Sequence, residues 1–308
     1  MRLFVFSFLF FLSFSLNAEI MRVTILGSGT PRPDIKRFSQ SILVEAGEQK
    51  LLFDSGRGAV IRLNQMNVDI AKVQSIFFTH LHSDHILGFP DLLLTGWIYR
   101  RNEILNIYGP KGIGGYVKNI KKAYQEDINI RTQKPESLDI KGLRTKINVI
   151  EEGLIYNQDD VKVFAIEVDH GGGVNHAYAY KIIYKNKAVL ISGDTNYSEN
   201  LVKAAKNVDL LIHEIASAPK NLISKSEKVK GIMNYHTTPI EMSKVINQSQ
   251  PKFVVLNHVL LLGGISESDV LDEIEKNLTT STPIKIAFDL MAIDLSNKIN
   301  VYSVDYTK

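Results

Sequence analysis

The chain has 308 residues, 44% of them hydrophobic, with 36 Lys and Arg against 33 Asp and Glu and no cysteine. A sizeable core can form, which excludes disorder and fibrous architectures, and the near-balanced charge leaves neither a basic nucleic-acid arm nor an acidic tail. Without cysteine there is no disulfide, thiol nucleophile or thiolate metal site, so a bound metal must be held by His, Asp and Glu.

Arg2 is followed by an unbroken apolar and Ser/Phe run over 3–16 that ends at Asn17-Ala18, the pattern of a secretory signal peptide. The run is shorter than the roughly 20 apolar residues a transmembrane helix needs. The expectation is a leader over 1–18, one mature domain over 19–308, a periplasmic or secreted location, and no stable membrane anchor. Met21, which opens the first core strand, is an alternative start.

After the leader, β-branched alternation over 21–26, the breaker Gly27-Ser28-Gly29-Thr30-Pro31, and strands over 41–45 and 50–53 around Gly47 predict an opening β-meander. A helix over 58–66 leads to a short buried strand over 75–78. A helix over 84–101, a strand over 105–108 and an amphipathic helix over 115–125 follow, before a polar surface excursion over 131–143. The second half predicts strands over 161–168, 178–184 and 188–192, a helix over 198–206 and a strand over 209–213. A helix over 239–246, a strand over 253–257, a helix over 267–277 and strands over 284–288 and 300–304 close the chain. This alternation, with no internal repeat, predicts an α/β fold built as a four-layer αββα sandwich.

The informative segment is Thr79-His80-Leu81-His82-Ser83-Asp84-His85, where a buried strand gives way to a helix. It places four metal-capable side chains in six residues. In a loop, His80 and His82 can point one way and Asp84 and His85 another, giving two adjacent half-sites. Further ligands are offered at strand ends: His170 before three glycines, Asp194 in Ser192-Gly193-Asp194-Thr195, where it could bridge two ions, and His258. These five histidines are drawn from eight in the chain.

The His-x-His-x-Asp-His motif, the later His170, the Gly-Asp-Thr and the late His258 resemble the metallo-β-lactamase superfamily. The branch containing ribonuclease Z and zinc-dependent arylsulfatases is suggested by Gly27-Ser28-Gly29-Thr30-Pro31, Phe53-Asp54-Ser55-Gly56, His213-Glu214 and His236-Thr237-Thr238-Pro239. Within it, Asp84-His85-Ile86-Leu87-Gly88-Phe89-Pro90-Asp91-Leu92, Thr95-Gly96-Trp97, Val168-Asp169-His170-Gly171 and Ser198-Glu199-Asn200-Leu201 are most similar to the arylsulfatase type.

The resemblance implies one zinc on His80, His82 and His170, a second on Asp84, His85 and His258, and Asp194 between them, with Mn or Fe as other acceptable metals. It implies attack by a metal-bridging hydroxide, with Asp84, His236 and Glu214 as catalytic residues, His236 protonating the leaving oxygen and Glu214 orienting it. Asp54 is expected to orient a ligand imidazole, while His213 is read as a strand-end residue. His176 is read as solvated or substrate-facing, and Trp97 and Tyr99 as core.

The leading expectation is an exported dinuclear zinc hydrolase of sulfate esters, acting on small anionic aryl esters. The alternative is a ribonuclease Z-like tRNA 3′-processing endonuclease or other phosphodiesterase. The latter is ranked second because His170 and Asp194 are only 24 positions apart, with no long Gly/Pro-rich arm between them, and because export would separate the protein from tRNA. Nucleic acid is therefore not expected as a partner. A homodimer is compatible with the sequence but not required by it. A metal-binding protein without catalysis is the reading from a different class. The pocket wall is expected to be assembled from loops such as 131–143 and 216–235.

Overall fold

Apolar residues alternate along Met21–Gly27 (β1), so that Met21, Val23 and Ile25 enter one core and Leu26 another. Ser41–Ala46 (β2), Gln49–Phe53 (β3), Ser75–Phe77 (β4), Leu105–Gly109 (β5) and Thr145–Val149 (β6) extend the first sheet. The chain then crosses to Gly153–Gln158 (β7), Val161–Val168 (β8), Ala177–Tyr184 (β9), Lys187–Ile191 (β10), Leu210–Ser217 (β11), Val254–Leu261 (β12) and Ile284–Ile286 (β13). Met291–Leu295 (β14) and Ile299–Ser303 (β15) return to the first sheet. The orders are β15-β14-β1-β2-β3-β4-β5-β6 and β13-β12-β11-β10-β9-β8-β7 in this computed structural model, which describes residues 20–305.

Most central strands bury both faces, which is why they read as near-continuous apolar runs in the sequence. One set of side chains fills the space between the sheets, with Phe53, Phe77 and Tyr108 stacked from the first sheet and Tyr180 meeting Phe53 and Phe77 from the second. The opposite set on the first sheet packs under Ala59–Gln65 (α1), Phe89–Ile98 (α3), Ile113–Ala123 (α4) and Gln125–Arg131 (α5), with the short Ser83–Ile86 (α2) before α3. Glu199–Ala204 (α6), Pro239–Ser249 (α9) and Glu267–Glu275 (α10) cover the second sheet. Between α6 and α9, Lys220–Lys225 (α7) and Glu227–Met233 (α8) rest instead on a small cluster of their own: Ala216, Met233, Leu260 and Leu262. The predicted α/β αββα sandwich is the observed architecture.

Several boundaries differ from expectation for local reasons. The helix expected over 84–101 is two helices, because Leu87-Gly88 turns the chain and Pro90 restarts it at a position where its missing N–H costs nothing. A Cβ at Gly88 would sit 2.2 Å from Gly56 O, so only glycine lets the loop after β3 lie against this break. Strands β6 and β7 and helices α7 and α8 are absent from the sequence expectation, since their exposed faces interrupt the apolar pattern. Strand β12 runs through His258 where the expectation ended at Asn257, and the stretch 284–304 holds three short strands where two were expected.

One buried ionic node ties the ends of the chain together. The Asp289 carboxylate, 4% exposed, accepts from Ser28 N at 2.9 Å, Ser28 Oγ at 2.9 Å, Phe38 N at 2.8 Å and Arg62 Nη2 at 2.9 Å. It thereby anchors the loop between β1 and β2 to helix α1. The expected leader over 1–18 lies outside the described residues, among which no helix is long and apolar enough to cross a membrane.

Candidate metal centre

The centre forms where strands from both sheets end. His80 and His82 lie in the loop after β4, while Asp84 and His85 occupy the first turn of α2, so one short segment feeds two neighbouring positions. His170 follows β8, and Asp194 follows β10 after Gly193, whose left-handed backbone (φ 60°) brings a would-be Cβ 2.9 Å from Thr79 Cβ. His258 is the extra residue of a β-bulge: β11 pairs Glu214 with Asn257 and then Ile215 with Val259. Its φ of 44° turns the imidazole inward, a re-aiming that bulges beside active sites commonly perform.

Two triads result. His80 Nε2 and His170 Nε2 stand 3.0 and 3.1 Å from His82 Nδ1. In the second, His258 Nε2 is 3.0 Å and His85 Nε2 3.7 Å from Asp84 Oδ2. Asp194 reaches both: Oδ1 lies 3.4 Å from His85 Nε2, and Oδ2 lies 3.4 Å from His258 Nε2 and 4.0 Å from both His80 Nε2 and His170 Nε2. All seven residues expected as ligands are therefore brought together, and the two triads and Asp194 fall into groups able to hold a metal ion.

The outward nitrogens of His85, His80 and His170 are fixed. His85 Nδ1 is 2.8 Å from Asp54 Oδ2, His80 Nδ1 is 3.1 Å from Thr79 Oγ1, and His170 Nδ1 is 3.1 Å from Tyr235 O. Asp54 also accepts from Thr79 N at 2.8 Å and Thr79 Oγ1 at 2.9 Å, so one carboxylate orients the whole motif loop. With Nδ1–H committed outward, Nε2 lone pairs converge inward, the arrangement typical of metal-ligating imidazoles.

The residues fit a cation. Buried His85 Nε2 and Asp194 Oδ1 have no hydrogen-bond partner, and buried polar groups without partners are costly. Burial drives His80 well below the usual histidine range and lowers His82 and His170, leaving neutral, ligating imidazoles. Burial also opposes charge on His85, but Asp194, Asp54 and Asp84 outweigh it and raise His85 well above that range. A His/Asp donor set of this kind suits zinc, manganese or iron.

His236 lines the cleft above the centre, its ring stacked 5.6 Å from that of His258. Its Nδ1 is 3.3 Å from Glu214 Oε2 without hydrogen-bond alignment, so charge attraction couples the two. Burial disfavours the imidazolium, but Glu214 and Asp194 raise its pKa to about 9. Glu214 Oε1 is held by Thr237 N at 2.6 Å. One ring nitrogen of His236 also falls within 4.8 Å of donor atoms of Asp194 and His258, so it faces the second triad directly.

Other expected residues lie elsewhere. His213 is buried inside β11, and His176 is exposed and lines no described cleft. Trp97 is core, its indole donating to Asp139 O, and Tyr99 is 59% exposed. The 131–143 stretch, expected to form pocket wall, is absent from a cleft of about 360 Å³ lined by Arg32, Lys228, Ile232, Tyr235, Leu260 and Leu262 around the centre. Lys228, Ile232 and Tyr235 fall in the 216–235 stretch expected as pocket wall, with Lys228 and Ile232 at the i,i+4 spacing of one helix face, whereas sequence reasoning missed Arg32, Leu260 and Leu262.

The family model described as "Anti-Pycsar protein Apyc1" matches residues 21–234. Ribonuclease Z of Mycobacterium bovis is 30% identical over 244 residues, covering 78% of this chain and 86% of that protein. The metallo-β-lactamase fold protein YhfI of Bacillus subtilis superposes with a TM-score of 0.68 at 19% identity, over 90% of this chain and 100% of that one. The short form of human tRNase Z does so with 0.63 at 23%, over 89% and 98%. Similarity to ribonuclease Z is thus shown, whereas the finer likeness to arylsulfatases is not. The expectation that nucleic acid is no partner is overturned by the same relatives. An absent substrate-holding arm concerns how a substrate is gripped, and carries no information on which bond the centre breaks.

Proposed function

The chain belongs to the Anti-Pycsar protein Apyc1 family within the metallo-β-lactamase fold, and from that membership we propose that it is a metal-dependent phosphodiesterase acting on nucleotide phosphodiesters, RNA included. The observation that carries this reading is the position of His236, paired with Glu214, on the cleft side of two triads that share Asp194. The ribonuclease Z relatives support a phosphodiester over a sulfate ester as the bond broken.

His80, His82 and His170 would hold one ion and Asp84, His85 and His258 the other, with Asp194 reaching both. Two bound ions supply Lewis acidity and a nucleophile competent at neutral pH. The protein's own work is orientation and proton transfer. Asp54 and Thr79 hold the rings of His85 and His80, and Glu214 sets His236 against the cleft, where it can give a proton to a departing alkoxide. Ile232 on α8 and Tyr235 just after it line the cleft beside the centre.

The test is a substrate panel on purified protein with and without chelator: aryl phosphodiester, a 3′,5′-cyclic nucleotide, precursor tRNA, aryl sulfate, lactone and β-lactam. Chelator-sensitive turnover of phosphodiesters is expected. Sulfate turnover with inert phosphodiesters would overturn the reading.

A further inference from the structure

The cleft presents two cations for which the chemistry above has no use. Arg32, exposed on the loop after Thr30-Pro31, and Lys228, exposed on α8, both line it. Their acidic neighbours are engaged elsewhere: Glu227 pairs with Lys230 at 3.9 Å, Glu267 pairs with Arg37, and Asp34 accepts from Lys36 N at 2.8 Å. Neither cationic side chain makes an ion pair or hydrogen bond among the described residues. The only carboxylates on the cleft wall, Asp84 and Asp194, belong to the metal centre.

Their placement is directional. On α8, Lys228 and Ile232 line the cleft one helical turn apart, and Val229, Ile232 and Met233 pack into the apolar cluster beneath the helix, which leaves Lys228 as the cleft residue outside that cluster. Arg32 also borders a second cleft of about 220 Å³, whose lining includes Thr30, Arg37 and Leu260 and the carboxylates Asp34 and Glu267. The two clefts share Thr30, Arg32 and Leu260, so Arg32 is the post between them. A phosphodiester bound at the metals would, if its chain continued, pass that post.

We propose that Arg32 and Lys228 are specificity-determining residues that grip a second phosphate next to the scissile one, so that the preferred substrate is a strand bearing consecutive phosphates. This rests on the phosphodiesterase reading and names the substrate class within it. The cations bind the strand in the ground state and the transition state alike, so they act through KM and not kcat.

The test uses trinucleotide RNA whose scissile linkage is intact and whose neighbouring linkage is either the natural phosphate or a neutral methylphosphonate. Wild-type protein should favour the charged strand by roughly 3- to 30-fold in kcat/KM, the range for two exposed ion contacts, expressed in KM. In Arg32→Ala/Lys228→Ala that preference should collapse toward one, Arg32→Lys should retain part of it, and the salt dependence of KM should flatten. Circular dichroism and metal content report whether the variants remain folded and loaded. Turnover of both strands without preference in wild type, or equal losses on both in the double variant, would overturn the proposal alone. Absence of turnover on any phosphodiester by metal-loaded wild type would overturn the phosphodiesterase reading and this proposal with it.

Discussion

The floor and the lid of the cleft are built on different principles. The floor is a cluster of mostly buried imidazoles and carboxylates, three of whose rings are held from outside by Asp54, Thr79 and backbone, at the ends of strands from two extensive sheets. The lid, α7 and α8, rests on four buried apolar residues and a few partly buried ones. The metal-binding geometry is therefore carried by a densely packed part of the molecule, while the lid that brings Lys228 to the cleft has the least packing to lose on opening.

Replacing a floor ligand should have the largest effect. His82→Ala or Asp194→Ala should abolish turnover and lower bound metal while the domain stays folded, as read by elemental analysis beside circular dichroism. Metal stoichiometry near zero in active wild-type protein would refute the assignment.

His236→Ala comes next, with a loss of roughly 10²–10⁴-fold on poor leaving groups, metals retained, and a smaller deficit on nitrophenyl esters, whose leaving groups need little protonation. A deficit flat across leaving-group pKa would make His236 a ligand or positioning residue. The same residue gives a pH signature in the metal-free protein. Its pKa, about 9 in the fold, stands above the ordinary value of 6.5, so its contribution to stability is complete below about 6.5 and is lost as pH rises through about 9. Urea melts of metal-free wild type and His236→Ala should differ most at low pH and converge above that point.

Asp54→Asn leaves the ligands but removes the charge that orients His85, and metal affinity should fall by roughly 10- to 100-fold. The smallest global effect belongs to the lid. Val229→Ala should speed amide exchange over 218–235 while leaving β8 and β9 unchanged; faster exchange in both regions together would show that lid and floor are one unit.

The same contrast explains what could be read in advance. The floor was legible because chemistry concentrates there: four ligands in six residues after an apolar strand have no packing rationale, and Gly193 and Asp194 follow a turn signal. Glu214 and His236 were legible only through resemblance, since their encounter depends on β11 and the segment before α9 folding together. The 216–235 stretch was legible as pocket wall but its helices were not, because α7 and α8 are short and mostly exposed, and their apolar partners Leu260 and Leu262 lie in another part of the chain. His258 was placed at a strand end because a bulge leaves no mark in residue type; the strand continues past it to Leu261.

Asp289 sets a timetable. It holds the loop of Ser28 and Phe38 that carries Arg32 to the cleft, and β1 itself is flanked by β14, whose Leu295 pairs with Met21. During synthesis, then, the first strand must wait for nearly the last, and the rim of the cleft has no anchor until residue 289 has emerged. Pairings this distant in sequence close slowly. A nascent chain therefore has no anchored cleft rim until Asp289 can reach Ser28 and Phe38.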